Sequence, residues 1–314
     1  MNGIPFLPPS ASSIAGEFNV LFGALLAVTG LVLFLVVWLM FRFCVHYRKS
    51  NADADRNHRI KKSWHWEVGW TTASLVIFVG LYAWGAEFYL REHRAPADAT
   101  DIYVVGKQWM WKIEHPDGQR EINALHLALD RPVRLVMTSE DVIHGFSVPA
   151  FRLKQDVVPG RYVTLWFTPI EAGNYHLYCT QFCGTDHAAM GGSVTVLDTG
   201  DFQKWLAANA ITGAGTLAAQ GGALYRRLGC SGCHDTEPRI GPPLAGLYLH
   251  RVTLRDGGDA LADDGFIREA ILDPATHPPA GYKTVMPSFA GQVDEEQVVA
   301  LVAYIKSLAG KAAP

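Results

Sequence analysis

The chain has 314 residues, with 27 Lys and Arg against 30 Asp and Glu and a formal net charge of −3. That length suits about two globular domains at ~150 residues each, and so nearly balanced a charge points away from nucleic acid or any other polyanion as a partner. Five cysteines, Cys44, Cys179, Cys183, Cys230 and Cys233, are too few and too odd in number for a disulfide scaffold; two close pairs, each near a histidine, point to metal or prosthetic-group attachment instead.

Two uncharged apolar runs come first. Phe18 to Phe41, rich in Leu, Val and Phe, exceeds the ~20 residues with which a helix crosses ~30 Å of hydrocarbon. Val68 to Ala86 is the second, with Trp64, Trp66 and Trp70 at one end and Trp84 and Tyr89 near the other, rings that suit the headgroup boundary. Spans are expected at about 18–42 and 66–88, forming a transmembrane hairpin within residues 1–95. The N-terminus lacks a positive start and the first run is too long for a signal's apolar region, so it is read as a retained span. Cys44, alone at the end of that run, reads as a buried small hydrophobe. The connecting loop carries Arg48, Lys49, Arg56, Arg59, Lys61 and Lys62, whereas residues 1–16 carry no Lys or Arg. The positive-inside rule therefore puts the loop in the cytoplasm and everything after about Glu87 on the periplasmic or outer side of a bacterial inner membrane. Glu67, at the cytoplasmic end of the second span, is ionisable where such groups are functional candidates; a snorkelling carboxylate is the bland alternative.

After the second span the pattern changes to short runs of period two: Asp101–Gly106, Trp109–His115, Val133–Thr138, Arg161–Phe167, Asn174–Cys179 and Ser193–Leu197. Pro116-Asp117-Gly118 and Val158-Pro159-Gly160 are turn signals between them, and such a series in about 100 residues predicts a β-sandwich or small barrel. Within it lies Cys179-Thr-Gln-Phe-Cys183-Gly-Thr-Asp-His187-Ala-Ala-Met190, with His144 upstream at the end of Thr-Ser-Glu-Asp-Val-Ile-His. Thiolate, imidazole and thioether suit soft copper. Two thiolates four residues apart can bridge a pair of metal ions, with His144, His187 and Met190 completing the set. Zinc, which has little use for the Met, and a Cys179–Cys183 disulfide are the alternatives.

These residues, together with Gln108-Trp109-Met110-Trp111, Ser139 to His144, Val148-Pro149 and Lys154 to Arg161, resemble subunit II of the cytochrome c oxidases over about residues 17–206. The resemblance implies a cupredoxin-like barrel at 96–206 holding the dinuclear copper centre CuA. It implies that Cys179 and Cys183 bridge the coppers, His144 and His187 each bind one, Met190 is a weak ligand and the Gln181 carbonyl is the last contact. It also implies electron entry through Trp109 and proton uptake into subunit I at Glu67. The chain departs from the family at Gln181, where many members have a Glu that binds Mg²⁺ shared with subunit I; an amide lacks the charge a hard cation prefers, which weakens the case for Mg²⁺ here. Phe146 and Ser74 replace a frequent Trp and Pro, away from the copper ligands.

Residues 207–216 fall in a Gly- and Ala-rich stretch and read as a linker. Leu217–Gly229 is a predicted short helix leading into Cys230-Ser-Gly-Cys233-His234, the signature in which two thiols add to heme vinyl groups and the His takes the iron. Gly241-Pro242-Pro243-Leu244 resembles the class I cytochrome turn in which a proline carbonyl, here Pro242, orients that His. Met286-Pro287-Ser288-Phe289 resembles the sixth-ligand loop, with His250 and His277 as rivals for the iron. Asp294 to Leu308 is the closing helix, acidic in its first turn and apolar at Val298, Leu301, Val302 and Ile305. Residues 217–314 are thus expected to be an all-α class I cytochrome c domain.

The chain is identified as a member of the cytochrome c oxidase subunit II family, with three parts: a two-helix membrane hairpin, a cupredoxin-like β domain and a heme c domain. The resemblance implies electron relay from an external donor, such as a cytochrome c or a quinol-oxidising complex, through heme c and CuA to subunit I. There O₂ is reduced with proton pumping, and subunit III and membrane lipid are the other partners. A copper-containing subunit of a nitric oxide reductase is the alternative; Glu67 leans toward oxygen reduction. A quinol-oxidase subunit lacking copper is opposed by the complete ligand set.

Overall fold

The computed structural model describes residues 7–52, 54, 63–209, 215–235, 240–282 and 285–309. Its N-terminal unit is two long helices, α1 (Ala15–His46) and α2 (Trp64–Glu92). At 1.5 Å per residue the 32 residues of α1 extend about 48 Å, past both limits of the apolar run, because intrahelical hydrogen bonding continues where hydrophobicity stops. Arg91 near the end of α2 pairs with Glu17 near the start of α1, so the helices run antiparallel. Their surfaces expose Leu, Val, Phe and Trp throughout, as helices with lipid for a solvent do. Cys44 is likewise exposed on α1 instead of buried, for the same reason. Of the basic loop, Arg56, Arg59, Lys61 and Lys62 lie outside the described residues.

The second unit holds residues 7–13 and everything from Ala95 onward. Its β part comprises β1 (Thr100–Lys107), β2 (Met110–Glu114), β3 (Arg120–Ile122), β4 (Ala124–Ala128), β5 (Val133–Ser139), β6 (His144–Val148), β7 (Leu153–Val157), β8 (Val163–Phe167), β9 (Gly173–Cys179) and β10 (Gly191–Leu197). They form two five-stranded sheets, ordered β3-β2-β1-β5-β8 and β4-β10-β9-β6-β7. Pairing is antiparallel except for β1 with β5 and β10 with β4. The sequence predicted six of these strands. It did not reveal β6, His-Gly-Phe-Ser-Val, whose five residues are all buried, which erases the alternation that marks a half-exposed strand. Residues 7–13 strap onto this part. Ala11 and Ser12 are fully buried, Ala11 N–H donates to Ala150 O at 2.9 Å, Ile170 N–H donates to Ala11 O at 3.0 Å and Ser13 N–H donates to Thr168 O at 2.9 Å.

Helix α3 (Thr199–Ala208) closes the β part and ends within the stretch expected to be linker, of which residues 210–214 lie outside the described residues. The C-terminal part has α4 (Leu217–Arg227), α5 (Ser231–His234), a small hairpin of β11 (Arg251–Thr253) with β12 (Asp259–Leu261), α6 (Asp264–Leu272) and α7 (Glu295–Ser307). Among the described residues, the hairpin is an addition to an otherwise helical expectation. Thr216 caps α4, its hydroxyl accepting from Ala219 N–H. Asp294 and Gln297 make a reciprocal capping box on α7, two orphan N–H groups satisfied at once. One face of α7 buries Val298, Leu301, Val302 and Ile305 against Tyr225, Ile267 and Ile271. The other carries Val299 and Ala300 into a cluster with Tyr103 and Val136 of the sheet. That cover explains why β1 is buried at five consecutive positions: one face looks into the sandwich and the other is capped by helix.

Candidate metal centres

The first centre lies where β6 meets the loop after β9. Phe146, expected to lie away from the candidate ligands, instead pairs with Cys179 across the two strands, and Thr180 N–H donates to Gly145 O at 2.9 Å. A Cβ on Gly145 would come within 2.4 Å of Thr180 Oγ1 and 2.8 Å of Gln181 N, so only glycine lets β6 bring His144 this close to the cysteine loop. Cys179 and Cys183 are both buried, and their sulfurs stand 3.7 Å apart without a bond. His144 Nδ1 lies 4.0 Å from Cys179 Sγ, and His187 Nδ1 lies 3.4 Å from Cys183 Sγ. Met190, buried, places Sδ 3.7 Å from Cys183 Sγ. The Gln181 carbonyl is 3.3 Å from Cys179 Sγ. Two sulfurs thus occupy the middle with an imidazole at each end, and His144, Cys179 and Cys183 alone can converge on a cation.

Burial and the neighbouring Cys179 push the Cys183 thiol up to about 12. Cys183 keeps its proton until a cation displaces it, which makes metal uptake proton-releasing. Orientation comes from Asp141 and Gln108, given no role in the sequence reading, and from Trp109, which was given one. Asp141 accepts from His144 Nε2 at 2.8 Å, leaving Nδ1 free to face the sulfurs, the usual carboxylate–imidazole arrangement behind a metal ligand. Gln108 Nε2 donates to Cys183 O at 2.7 Å and Trp109 Nε1 to the same carbonyl at 3.3 Å. Trp109 is therefore half-buried against the ligand loop and not a residue of the sandwich core. The Asp141-to-His144 spacing was visible in the sequence; its meaning needed the turn that folds one onto the other.

Gln181 turns its amide to Asp156, donating to Oδ2 at 3.2 Å, and Lys154 Nζ reaches Asp156 Oδ1 at 2.8 Å. Both carboxylate oxygens are thereby occupied by donors, an arrangement that does not fit Mg²⁺ with its demand for charged oxygens.

The second centre is a cavity in the C-terminal part. Cys230 and Cys233, both unpaired, and His234 lie along one wall. His234 Nδ1 donates to Pro242 O at 2.7 Å, which fixes the ring and leaves Nε2 as the free nitrogen. The remaining lining is almost wholly apolar, with Leu244, Ile267, Phe289, Leu301 and Ile305 among it, and Met286 beside them. Of the two rival histidines, His250 is exposed. His277 borders the cavity but stacks on Phe266 and sits 3.3 Å from Glu269. Two thiols, one oriented imidazole and an apolar slot fit a covalently attached heme. Glu67 lies in the first turn of α2, accepting from Ser63 Oγ.

Comparison with known proteins agrees with this geometry. Residues 2–84 match the family described as cytochrome c oxidase subunit II, transmembrane domain, and residues 120–197 match the periplasmic domain of the same subunit. Residues 216–305 match the family described as cytochrome c oxidase, cbb3-type, subunit III. An alternative cytochrome c oxidase subunit 2 of Bradyrhizobium diazoefficiens is 29% identical over 214 residues, covering 57% of this chain and 75% of that protein. A cytochrome c oxidase subunit 2 of Cereibacter sphaeroides is 27% identical over 241 residues, covering 63% and 78%. That of Alkalihalophilus pseudofirmus is 26% identical over 294 residues and covers 90% of this chain and 84% of its own length.

Proposed function

The chain belongs to the cytochrome c oxidase subunit II family and carries a C-terminal cytochrome c domain, and from that premise we propose that it relays electrons from an external donor through the cytochrome part and then the sulfur-rich centre to subunit I. The observation that carries the proposal is the presence in one chain of both donor sets, the buried Cys179–Cys183 pair flanked by imidazoles and the His234–Pro242 unit beside two further thiols. When bound, the dinuclear copper and the heme each supply a carrier that gains and loses one electron without making or breaking bonds.

Everything else is the work of this chain's residues. Cys179, Cys183, His144, His187, Met190 and the Gln181 carbonyl are the groups that would hold the copper. Asp141 fixes the His144 tautomer. Cys230 and Cys233 would anchor the heme, Pro242 holds the His234 ring that would take its iron, and Met286 would be the second iron ligand. The apolar wall around that slot excludes water, which favours a reversible, high-potential carrier over one that binds small ligands. Trp109, touching the cysteine loop through Cys183 O, is the entry residue for electrons, and Glu67 is the residue of proton uptake. Reduction of O₂ and coupled proton pumping then take place in subunit I, with subunit III alongside.

The full-length chain, purified from cells that attach heme c, should contain two coppers for each covalent heme by metal analysis. Zinc in place of copper, or one copper with a blue-copper spectrum, would overturn the assignment. Met286→Ala should leave the heme attached while opening the iron to CO, because attachment rests on the two thioether bonds alone. Were His277→Ala or His250→Ala to open the iron instead, Met286 would not be the ligand.

A further inference from the structure

The cytochrome helices meet the β3-β2-β1-β5-β8 sheet through an apolar centre of Tyr103, Val136, Leu217, Val299 and Ala300. At one edge of this centre lie four charges of alternating sign. Asp101 on β1 and Arg134 on β5 make a two-bond fork at 2.6 and 2.8 Å. Asp264 on α6 and Lys306 on α7 pair at 2.9 Å. The two pairs then cross the junction. Lys306 Nζ binds Asp101 and reaches Tyr103 OH at 3.2 Å, while Arg134 lies 3.6 Å from Asp264 and donates to Tyr248 OH at 3.3 Å.

We propose that this four-charge ring seats the cytochrome helices in a single position on the sheet, so that the two cofactor sites are held at one separation instead of being joined by a swinging tether. A ring that closes through both partners admits one register only. Sliding α7 by a single turn, about 5.4 Å, would part Lys306 from Asp101 and leave charges at the junction unpaired, the arrangement most costly to bury. Each side chain of the ring is at most a quarter exposed, so salt screens the pairs weakly. Arg268 fastens the opposite flank. It pairs with Glu295, donates to Gly160 O at 2.6 Å and lies 5.6 Å over the Tyr162 ring. An apolar centre inside a polar rim is the anatomy of a stable interface.

The seat rests on contacts within the chain and not on the relay, so it is testable without turnover. Pulsed dipolar EPR between nitroxides at Glu171→Cys and Arg251→Cys, in a full-length Cys44→Ser background, should give one narrow distance. That distance should hold between about 50 and 500 mM KCl, although the screening length shortens about threefold. Asp101→Asn lies on the sheet and cannot disturb the cytochrome's own core; it should shift the seating equilibrium by roughly 10²-fold or more and broaden the distribution. Lys306→Met should do the same. The double variant, which leaves neither partner of that bridge unpaired, should broaden it less than either alone. A broad or salt-shifted distance in the parent chain, or a narrow one retained in Asp101→Asn, would overturn the proposal.

Discussion

Cys183→Ser should reduce the copper content of the chain from two to near zero while the covalent heme remains. Cys183 is the junction of the centre, with Cys179 Sγ, His187 Nδ1 and Met190 Sδ all within 3.7 Å of its sulfur. A serine hydroxyl is harder, and in this buried setting it keeps its proton, so it can neither bridge soft ions nor compensate their charge. Removing a group that merely orients a metal ligand already costs about 10- to 100-fold in affinity. Asp141→Ala should fall in that range, and Cys183→Ser should exceed it. In the assembled oxidase, heme c should still accept electrons from a chemical reductant, but O₂ consumption should drop by at least ~100-fold, the upper end of that same scale. Copper analysis and heme absorbance on one sample separate the two effects. Two coppers retained in Cys183→Ser would mean that the bridge is not made by this sulfur.

Gly221→Val should have the largest effect on folding. A Cβ built at Gly221 lies 1.8 Å from Ala300 O, 2.5 Å from Ala300 C and 2.8 Å from Tyr304 Cβ. The obstacle is backbone, so no side-chain rotation relieves it and α4 must move away from α7. Ordinary overpacking costs about 1–3 kcal/mol. Here the displaced helix also serves two interfaces, the cavity wall through Tyr225 and the sheet through Leu217. A loss of about 4 kcal/mol or more is expected, in the range reserved for a named structural failure. Denaturant titration followed at the heme should show it, and Gly221→Ala should lie between the parent and the valine. A valine variant within about 1 kcal/mol of the parent would show that the helices can separate at little cost.

What the sequence made legible tracks the range over which each signal acts. The closing helix was readable because its periodicity, acidic first turn and length are local, and α7 runs from Glu295 to Ser307. The clustering of Cys179, Cys183, His187 and Met190 was readable because they lie within twelve residues. The two apolar helices were recognised, and they continue beyond the expected spans, since hydropathy reports the thickness of hydrocarbon and not the length of a helix. β6 was hidden by burial on both faces. The Lys306–Asp101 bridge joins residues 205 positions apart, and neither residue differs in kind from a solvated surface charge. Nothing along the chain can announce such a pair. Asp156 is an intermediate case: it sat inside a recognised motif, yet its partnership with Gln181 depends on a loop from another strand reaching over β7.

The strap formed by residues 7–13 carries a lesson about biogenesis. Ala11, Ser12 and Ser13 supply donors and acceptors to Ala150, Phe151, Thr168 and Ile170, groups that lie more than 130 residues downstream and beyond two membrane-length helices. The tail and the β part must therefore end in one compartment, which fixes the number of crossings as even, whatever the charge of the loop. It also sets an order of events: the tail has to be exported before the domain it completes can close. A copy with only one helix across would leave the backbone groups of that edge without partners. Such a topological error would then surface as a folding error.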